Sequence, residues 1–180
     1  MNDVKLNTLV LSASLNPSSN SAKLAQAALT MVEQMGVTAT SLDLREIDMP
    51  FCDGDAAYDH PSVSMLKDAI GKADAILFAA PVYNFDLNAA AKNVIELTGQ
   101  AWEGKVVGLM VSAGGSNSYM SPMALASSLM FDFRSHIVPR FVYATTADFD
   151  GEDLDTEIKE RLEGLVKATL RLAKGLALTA

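Results

Sequence analysis

The stretch TLVLSASLNPSSNSAKLAQAALTMVEQMG, residues 8–36, changes its pattern twice. It begins with a continuous apolar run at residues 8–11, which is typical of a buried β-strand. Serine, asparagine and proline then dominate up to residue 20, which indicates a loop. Apolar residues next recur every three or four positions, ahead of Gly36 as a stop signal: Leu24, Ala28, Val32 and Met35. The stretch therefore predicts a strand, a loop and a helix in that order.

The same order recurs along the rest of the chain. Four further strands are predicted, at residues 37–42, 75–80, 106–111 and 137–143. Helices are predicted to begin at Pro61 and at Ser121, and to cover residues 88–98 and 152–174. The strands are almost entirely apolar, which is typical of a parallel sheet covered on both faces. We therefore predict an α/β fold with three layers, built on a doubly wound five-stranded parallel sheet of strand order 2-1-3-4-5.

The composition limits the partners that the chain can have. Its 180 residues, 49% of them hydrophobic, predict one domain over residues 1–180. Fourteen basic against 22 acidic residues give a net charge of −8, which argues against nucleic acid and against acidic membrane surfaces. Cys52 is the single cysteine, and the sequence shows neither a signal-peptide pattern nor an apolar run that could span a bilayer. We therefore expect a cytoplasmic protein.

No metal site is expected from the sequence. The two histidines, His60 and His136, have no partner at metal-ligand spacing.

The loop after the first strand is the first candidate binding segment. Ligands of doubly wound sheets bind beyond the carboxyl ends of the strands, where the strand order reverses. Residues 12–21 hold five serines and two asparagines directly ahead of a helix. Hydroxyl and backbone N–H groups at a helix N-terminus can bind phosphate, although one or two such residues could simply cap the helix. The loop contains neither an acid nor a base, so dipoles and hydroxyls would hold the phosphate.

The loops after the third and fourth strands are expected at the same edge. Tyr83 and Phe85 could offer ring surface to a flat aromatic ligand, or they could pack against neighbouring loops. Gly114 and Gly115 permit a close approach of the backbone to a ligand, which alone is a weak signal. The three loops together favour a binding site more strongly than any one of them.

These loops resemble those of the NAD(P)H-dependent FMN reductase family of flavodoxin-like proteins. The resemblance is carried by Ser12-Ala13-Ser14-x-Asn16-x-x-Ser19-x-Ser21, Pro81-Val82-Tyr83-Asn84 with Lys92-Asn93, and Ser112-Ala113-Gly114-Gly115. It implies that the FMN phosphate is held by Ser14, Asn16, Ser19, Asn20 and Ser21. It further implies that the isoalloxazine is bordered by Pro81, Val82, Tyr83, Asn84 and Phe85, and that its pyrimidine side meets Ser112, Gly114 and Gly115.

Several positions depart from the family pattern: Ala13 stands for glycine, Asn16 for arginine, Val82 for glutamate, and Phe85-Asp86 for Gly-Ser. Asn16 stands where the family has arginine, which removes a cation from the phosphate loop. Phe85 stands where the family has glycine, and its bulk narrows the space beside the flavin.

The resemblance implies an FMN-dependent NAD(P)H oxidoreductase. Hydride would pass from NADPH or NADH to bound FMN, and electrons would then pass to a flavin, a quinone or another small acceptor. The flavin performs this chemistry, so no catalytic side chain is predicted. The alternative is a flavodoxin-like electron carrier without NAD(P)H reductase activity, which the acidity and Phe85 favour. Members of the family commonly form dimers or tetramers, so the resemblance also implies a homodimer or homotetramer.

Overall fold

The structure, a computed structural model, describes residues 5–178 and is built around one central sheet. Seven strands form that sheet: β1 (Asn7–Ser12), β2 (Thr38–Asp43), β3 (Ala75–Tyr83), β4 (Asp86–Leu87), β5 (Val106–Ala113), β6 (His136–Ile137) and β7 (Val142–Thr145). A separate hairpin consists of β8 (Phe149–Asp150) and β9 (Asp153–Leu154). The α-helices are α1 (Asn20–Gln34), α2 (Pro61–Lys72), α3 (Ala89–Thr98), α4 (Met123–Phe133) and α5 (Thr156–Ala177). None of the helices within residues 5–178 is long and apolar enough to cross a bilayer.

The sheet has the doubly wound order that the sequence predicts. Its strands lie in the order β2-β1-β3-β5, and β6 and β7 both pair with the outer edge of β5. All of these pairs are parallel, whereas the short β4 folds back antiparallel on β3. The predicted fold class is therefore confirmed, with seven strands in place of five.

The predicted fifth strand is broken in the middle. β6 pairs with the first residues of β5 and β7 pairs with its last residues, while residues 138–141 lie between them. Pro139 has no N–H to donate to the sheet, and Arg140 has a φ of +63°. A continuous ladder cannot form through this segment.

The last helix begins later than predicted. It starts at Thr156 because the residues before it form the hairpin of β8 and β9, which turns at Gly151 with a φ of +59°. Asp155 then caps α5 by accepting a hydrogen bond from the N–H of Glu157 at 2.7 Å.

Two apolar layers hold the helices against the sheet. Alternate strand residues such as Leu11 and Phe78 pack with α2, α3 and α4 on one face. Their neighbours, such as Val10 and Leu77, pack with α1 and α5 on the other face. Helix α5 lies so near β5 that a Cβ at Gly108 would stand 2.6 Å from Thr169 Oγ1. The sheet is thus covered on both faces, and its carboxyl edge is left for the connecting loops.

Candidate functional site

The register of the sheet brings the three candidate loops to one edge. Ser12 pairs with Ala79 across β1 and β3, and Pro81 pairs with Ser112 across β3 and β5. The loops that follow these residues enclose an open cleft of about 180 Å³. It is lined by Ser14, Asn16, Ser18, Ser19, Asn20, Pro81, Val82, Tyr83, Ser112, Ala113, Gly114 and Thr146.

Most of the predicted site residues belong to this lining. Four lie outside it, namely Ser21, Asn84, Phe85 and Gly115. Ser21 is fully buried, and its hydroxyl lies 2.9 Å from Ser19 Oγ. Three residues of the lining were not predicted, namely Ser18, Ala113 and Thr146. Ser18 and Ala113 lie within the predicted loops, but Thr146 follows β7, where no sequence signal pointed to a site.

The side chains of the first loop mainly shape the loop itself. Ser19 caps α1 by accepting a hydrogen bond from the N–H of Ala22 at 3.1 Å. Ser14 Oγ accepts from the N–H of Asn16 at 3.2 Å, and Asn16 Oδ1 accepts from the N–H of Ser18 at 2.9 Å. The capping interpretation is therefore confirmed for Ser19. The first N–H groups of a helix have no intrahelical acceptor, so the N-terminus of α1 presents donors beside the cleft.

A buried asparagine joins the first loop to the β3–β4 hairpin. Asn88 Nδ2 donates to the carbonyl of Ala13 at 2.7 Å, and the Asn88 backbone N–H donates to the carbonyl of Pro81 at 3.1 Å. Asn88 Oδ1 and Ser12 Oγ are buried and have no hydrogen-bond partner within residues 5–178. Asn88 is absent from the predicted site, and its one sequence signal was its position at the start of a predicted helix.

A tyrosine from β7 holds the third loop. Tyr143 Oη donates to the carbonyl of Gly115 at 2.5 Å. The ring of Tyr119 lies against this tyrosine, with 5.4 Å between the ring centroids. Tyr143 therefore restrains the two-glycine turn, and nothing in the sequence pattern indicated that contact.

The hairpin at the rim of the cleft has an unusual turn. Asn84 and Phe85 both have positive φ, 52° and 66°, in a two-residue connection between β3 and β4. This geometry favours Asn-Gly, and a side chain at the second position costs about 1–2 kcal/mol. Tyr83 is 52% exposed and Phe85 is 59% exposed. About half of the surface of each residue is therefore open to solvent at the rim of the cleft.

Two basic residues near the first loop make contacts between distant parts of the chain. Arg45, which follows β2, donates through Nη1 to the carbonyl of Pro17 at 3.0 Å. Its hydrogen bonds to Asp43 raise the pKa of the Arg45 guanidinium above the ordinary value. Lys23 Nζ donates to the carbonyl of Gly151 at 2.5 Å. No local sequence pattern indicates either contact, because each joins residues that are distant in the chain.

The site shows no arrangement suited to a metal ion. Within residues 5–178, no three His, Cys, Asp or Glu side chains lie close enough together to hold one. The lining instead offers hydroxyls, amides and backbone groups, together with the phenol of Tyr83.

Comparison with known proteins identifies the sequence family. Residues 6–150 match the family described as NADPH-dependent FMN reductase. An NAD(P)H-dependent FAD/FMN reductase of Geobacillus thermodenitrificans is 28% identical over 129 residues, which are 69% of each chain. A probable NADPH:quinone oxidoreductase of Oryza sativa subsp. japonica is 26% identical over 77% of this chain and 75% of its own.

A solved structure has the same fold. The flavoenzyme NAD(P)H:(acceptor) oxidoreductase from Paracoccus denitrificans superposes with a TM-score of 0.77, at 22% identity, over 94% of this chain and 98% of its own. At that identity the likeness concerns the fold alone. The family match is independent of it and covers all three loops of the cleft, and on that ground the chain belongs to the NADPH-dependent FMN reductase family.

Proposed function

We propose that the chain forms one FMN-binding domain of a cytoplasmic enzyme, with the flavin held in the cleft at the carboxyl edge of the sheet. Membership of its family makes the protein an NAD(P)H-dependent flavin oxidoreductase that uses FMN. The observation that carries the proposed site is that the three loops bearing the family motifs line one cleft.

The phosphate end of the cleft suits FMN. Ser14, Asn16, Ser19 and Asn20 lie where α1 begins, and the helix dipole places partial positive charge there. Ser21 supports this end indirectly, through its contact with Ser19. Asn88 Oδ1 and Ser12 Oγ are buried beside the start of the same loop and have no hydrogen-bond partner among residues 5–178. We propose that the phosphate is held here by N–H groups and hydroxyls.

The other end of the cleft suits a flat ring. Pro81 and Val82 offer apolar surface on one side of the cleft. Ser112 and Gly114 have a small side chain or none, so their backbone can lie close to a ligand in the cleft. We propose that the isoalloxazine lies between these two walls. Tyr83, Asn84 and Phe85 then form its rim, and Gly115 belongs to the turn that Tyr143 restrains.

The residues of the cleft bind and orient, and they carry out no proton transfer. Bound FMN would supply the hydride and electron transfer between NADPH or NADH and a second substrate. None of the described lining residues carries a carboxylate, an imidazole or an amine. Backbone donors near Ser112 and Gly114 would stabilise negative charge on the pyrimidine side of the ring. We therefore assign binding residues and no catalytic acid or base.

The acceptor is proposed to be a quinone, a free flavin or another small molecule. Two observations support this class. Relatives of this chain are named as quinone oxidoreductases and as an FAD/FMN reductase. The cleft is also open along the Tyr83 and Phe85 rim, which leaves room for a planar acceptor to approach.

A homodimer or homotetramer is also proposed. Large apolar side chains are exposed on and just before α4, including Phe131 at 83% and Met120 at 54%. Such side chains are common in subunit interfaces. Sedimentation of the native protein should give a dimer or tetramer, and Phe131→Glu should shift it towards the monomer. A native monomer at working concentration would contradict the proposal.

An anaerobic titration tests the function. The FMN-loaded protein should be yellow and should lose its absorbance on addition of NADPH or NADH, and it should regain its colour on addition of a naphthoquinone. Bleaching by dithionite but by neither nicotinamide would instead indicate the electron-carrier alternative. A protein that takes up no FMN would overturn the proposed site.

A further inference from the structure

An ion pair outside the cleft braces the first loop. The guanidinium of Arg45 donates through Nη1 to the carbonyl of Pro17 at 3.0 Å. Pro17 stands between Asn16 and Ser18, which both line the cleft. The same guanidinium donates to Asp43 Oδ2 through Nε at 3.0 Å and through Nη2 at 2.6 Å. Arg45 thus connects the end of β2 with the turn of the first loop.

The register of the sheet determines where the pair of Asp43 and Arg45 lies. Asp43 pairs in register with Ser12, the last residue of β1 before the loop. Asp43 Oδ1 also accepts from the backbone N–H of Arg45 at 2.9 Å, and Leu44 between them is buried. The side chains of Asp43 and Arg45 are only 19% and 33% exposed. Asp43 therefore holds the guanidinium in the orientation in which it contacts Pro17.

The kind of side chain at position 45 matters for this contact. Residues 12–21 contain no charged side chain, so the guanidinium that contacts Pro17 comes from outside the loop. A planar guanidinium can satisfy a carboxylate and a carbonyl together in fixed geometry, which a lysine ammonium does less well.

Building on the proposed function, we propose that Arg45 is a positioning residue for the phosphate end of FMN. By holding the Pro17 carbonyl, it fixes the turn at residues 16–18, so that the N-terminus of α1 stays open to the phosphate. The side chain that fixes the turn thus comes from residue 45, just after β2, and not from the loop itself.

The test compares two ligands that differ only in the phosphate, FMN and riboflavin. Both are titrated against the wild-type protein, Arg45→Met and the control Arg134→Met. Arg134 pairs with Glu103 at the opposite edge of the sheet and is well exposed. In Arg45→Met the Kd for FMN should rise about tenfold, the loss expected for one charge-assisted contact, while the Kd for riboflavin stays within about twofold. Arg134→Met should change neither value.

The outcomes separate this inference from the proposed function. An unchanged FMN Kd in Arg45→Met, or an equal loss for both ligands, would overturn the positioning role while leaving the flavin site intact. Equal wild-type affinity for FMN and riboflavin would overturn it as well. A wild-type protein that binds neither ligand would overturn both proposals. Should Arg45→Met fail to fold, Asp43→Asn takes its place, with the same selective loss of FMN affinity expected and an unchanged Kd contradicting the role.

Discussion

Asn88 and Ala13 are 75 residues apart in sequence, yet the side-chain amide of the first donates to the carbonyl of the second at 2.7 Å. The backbone N–H of Asn88 also donates to Pro81, at the base of the hairpin. One buried residue thereby links two walls of the cleft.

Replacing Asn88 with leucine should weaken both the fold and the cleft. The substitution keeps the approximate size of the side chain but leaves the Ala13 carbonyl unpaired, which costs about 1–3 kcal/mol. Urea unfolding should show this loss, and flavin titration should show weaker FMN binding. Gln34→Leu, which alters an exposed amide on α1, is the matched control and should shift the free energy of unfolding by less than about 0.5 kcal/mol. Equal behaviour of the two variants would contradict the linking role.

Tyr143→Phe should loosen the third loop without disturbing its aromatic packing. It removes the hydroxyl that donates to Gly115 but keeps the ring beside Tyr119. The expected loss of stability is about 1 kcal/mol. Because this loop is proposed to meet the ring of the flavin, FMN and riboflavin should lose affinity equally. The control is Tyr58→Phe, which removes a hydroxyl that accepts a contact from Cys52. A selective loss for FMN would contradict the placement of the ring.

Phe85→Gly should stabilise the hairpin. Glycine adopts a φ of 66° without the steric cost that a phenylalanine Cβ incurs, so the gain should be about 1 kcal/mol in urea unfolding. Phe85→Ala removes the same exposed ring but keeps Cβ, and it should gain little. Faster turnover of the nicotinamide in both variants would show that the ring restricts access. An equal gain of stability in both would rule out backbone strain as the cause.

Gly108→Ala should destabilise the contact of α5 with the sheet. The added Cβ would lie 2.6 Å from Thr169 Oγ1 and 3.0 Å from a methyl of Leu77. Crowding of a well-packed core typically costs about 1–3 kcal/mol. Gly164→Ala provides the contrast, since a Cβ at this helical position meets nothing within 4 Å and should stabilise α5 slightly. Thermal unfolding of the two variants should therefore shift in opposite directions.

Asp53 should make stability depend on pH in the acid range. Hydrogen bonds from the N–H groups of Asp55 and Ala57 hold the pKa of this carboxylate below its ordinary value of 3.8. A lowered pKa in the folded state contributes stability above 3.8 that is lost as the pH falls through the folded value. Asp53→Ala should therefore be less stable than the wild type at pH 7, and the difference should shrink below pH 3.8. Asp59→Ala serves as the control, and a pH-independent difference would contradict the mechanism.

The sequence predicts best those parts of the fold that depend on residues close together in the chain. The short continuous apolar run at residues 75–80 favours a buried strand, and β3 contains it. Residues 137–143 are mostly apolar and so predict a continuous fifth strand, but Pro139 interrupts it. The pattern before Thr156 predicts an earlier start of the last helix, but the turn at Gly151 forms a hairpin there.

The candidate site likewise has parts that the sequence predicts and parts that it does not. The loops could be located because strand ends and glycine or serine runs are visible in the sequence. The contacts that fix them, Asn88 to Ala13 and Arg45 to Pro17, depend on the register of the finished sheet. No local pattern encodes such contacts. The sequence therefore predicts which loops line the cleft, but not the hydrogen bonds that hold those loops in place.

The hydrogen bonds that hold the loops also depend on the order in which the strands of the sheet pair. The cleft needs the pairing of β1 with β3 and of β3 with β5, and such non-local pairings are slow because loop closure must precede them. The hydrogen bond from Tyr143 to Gly115 additionally requires β7 to be in place. Thr146 also lines the cleft, so a chain emerging from the ribosome has no completed cleft until at least residue 146 is available, and on the proposed function flavin uptake would follow that point.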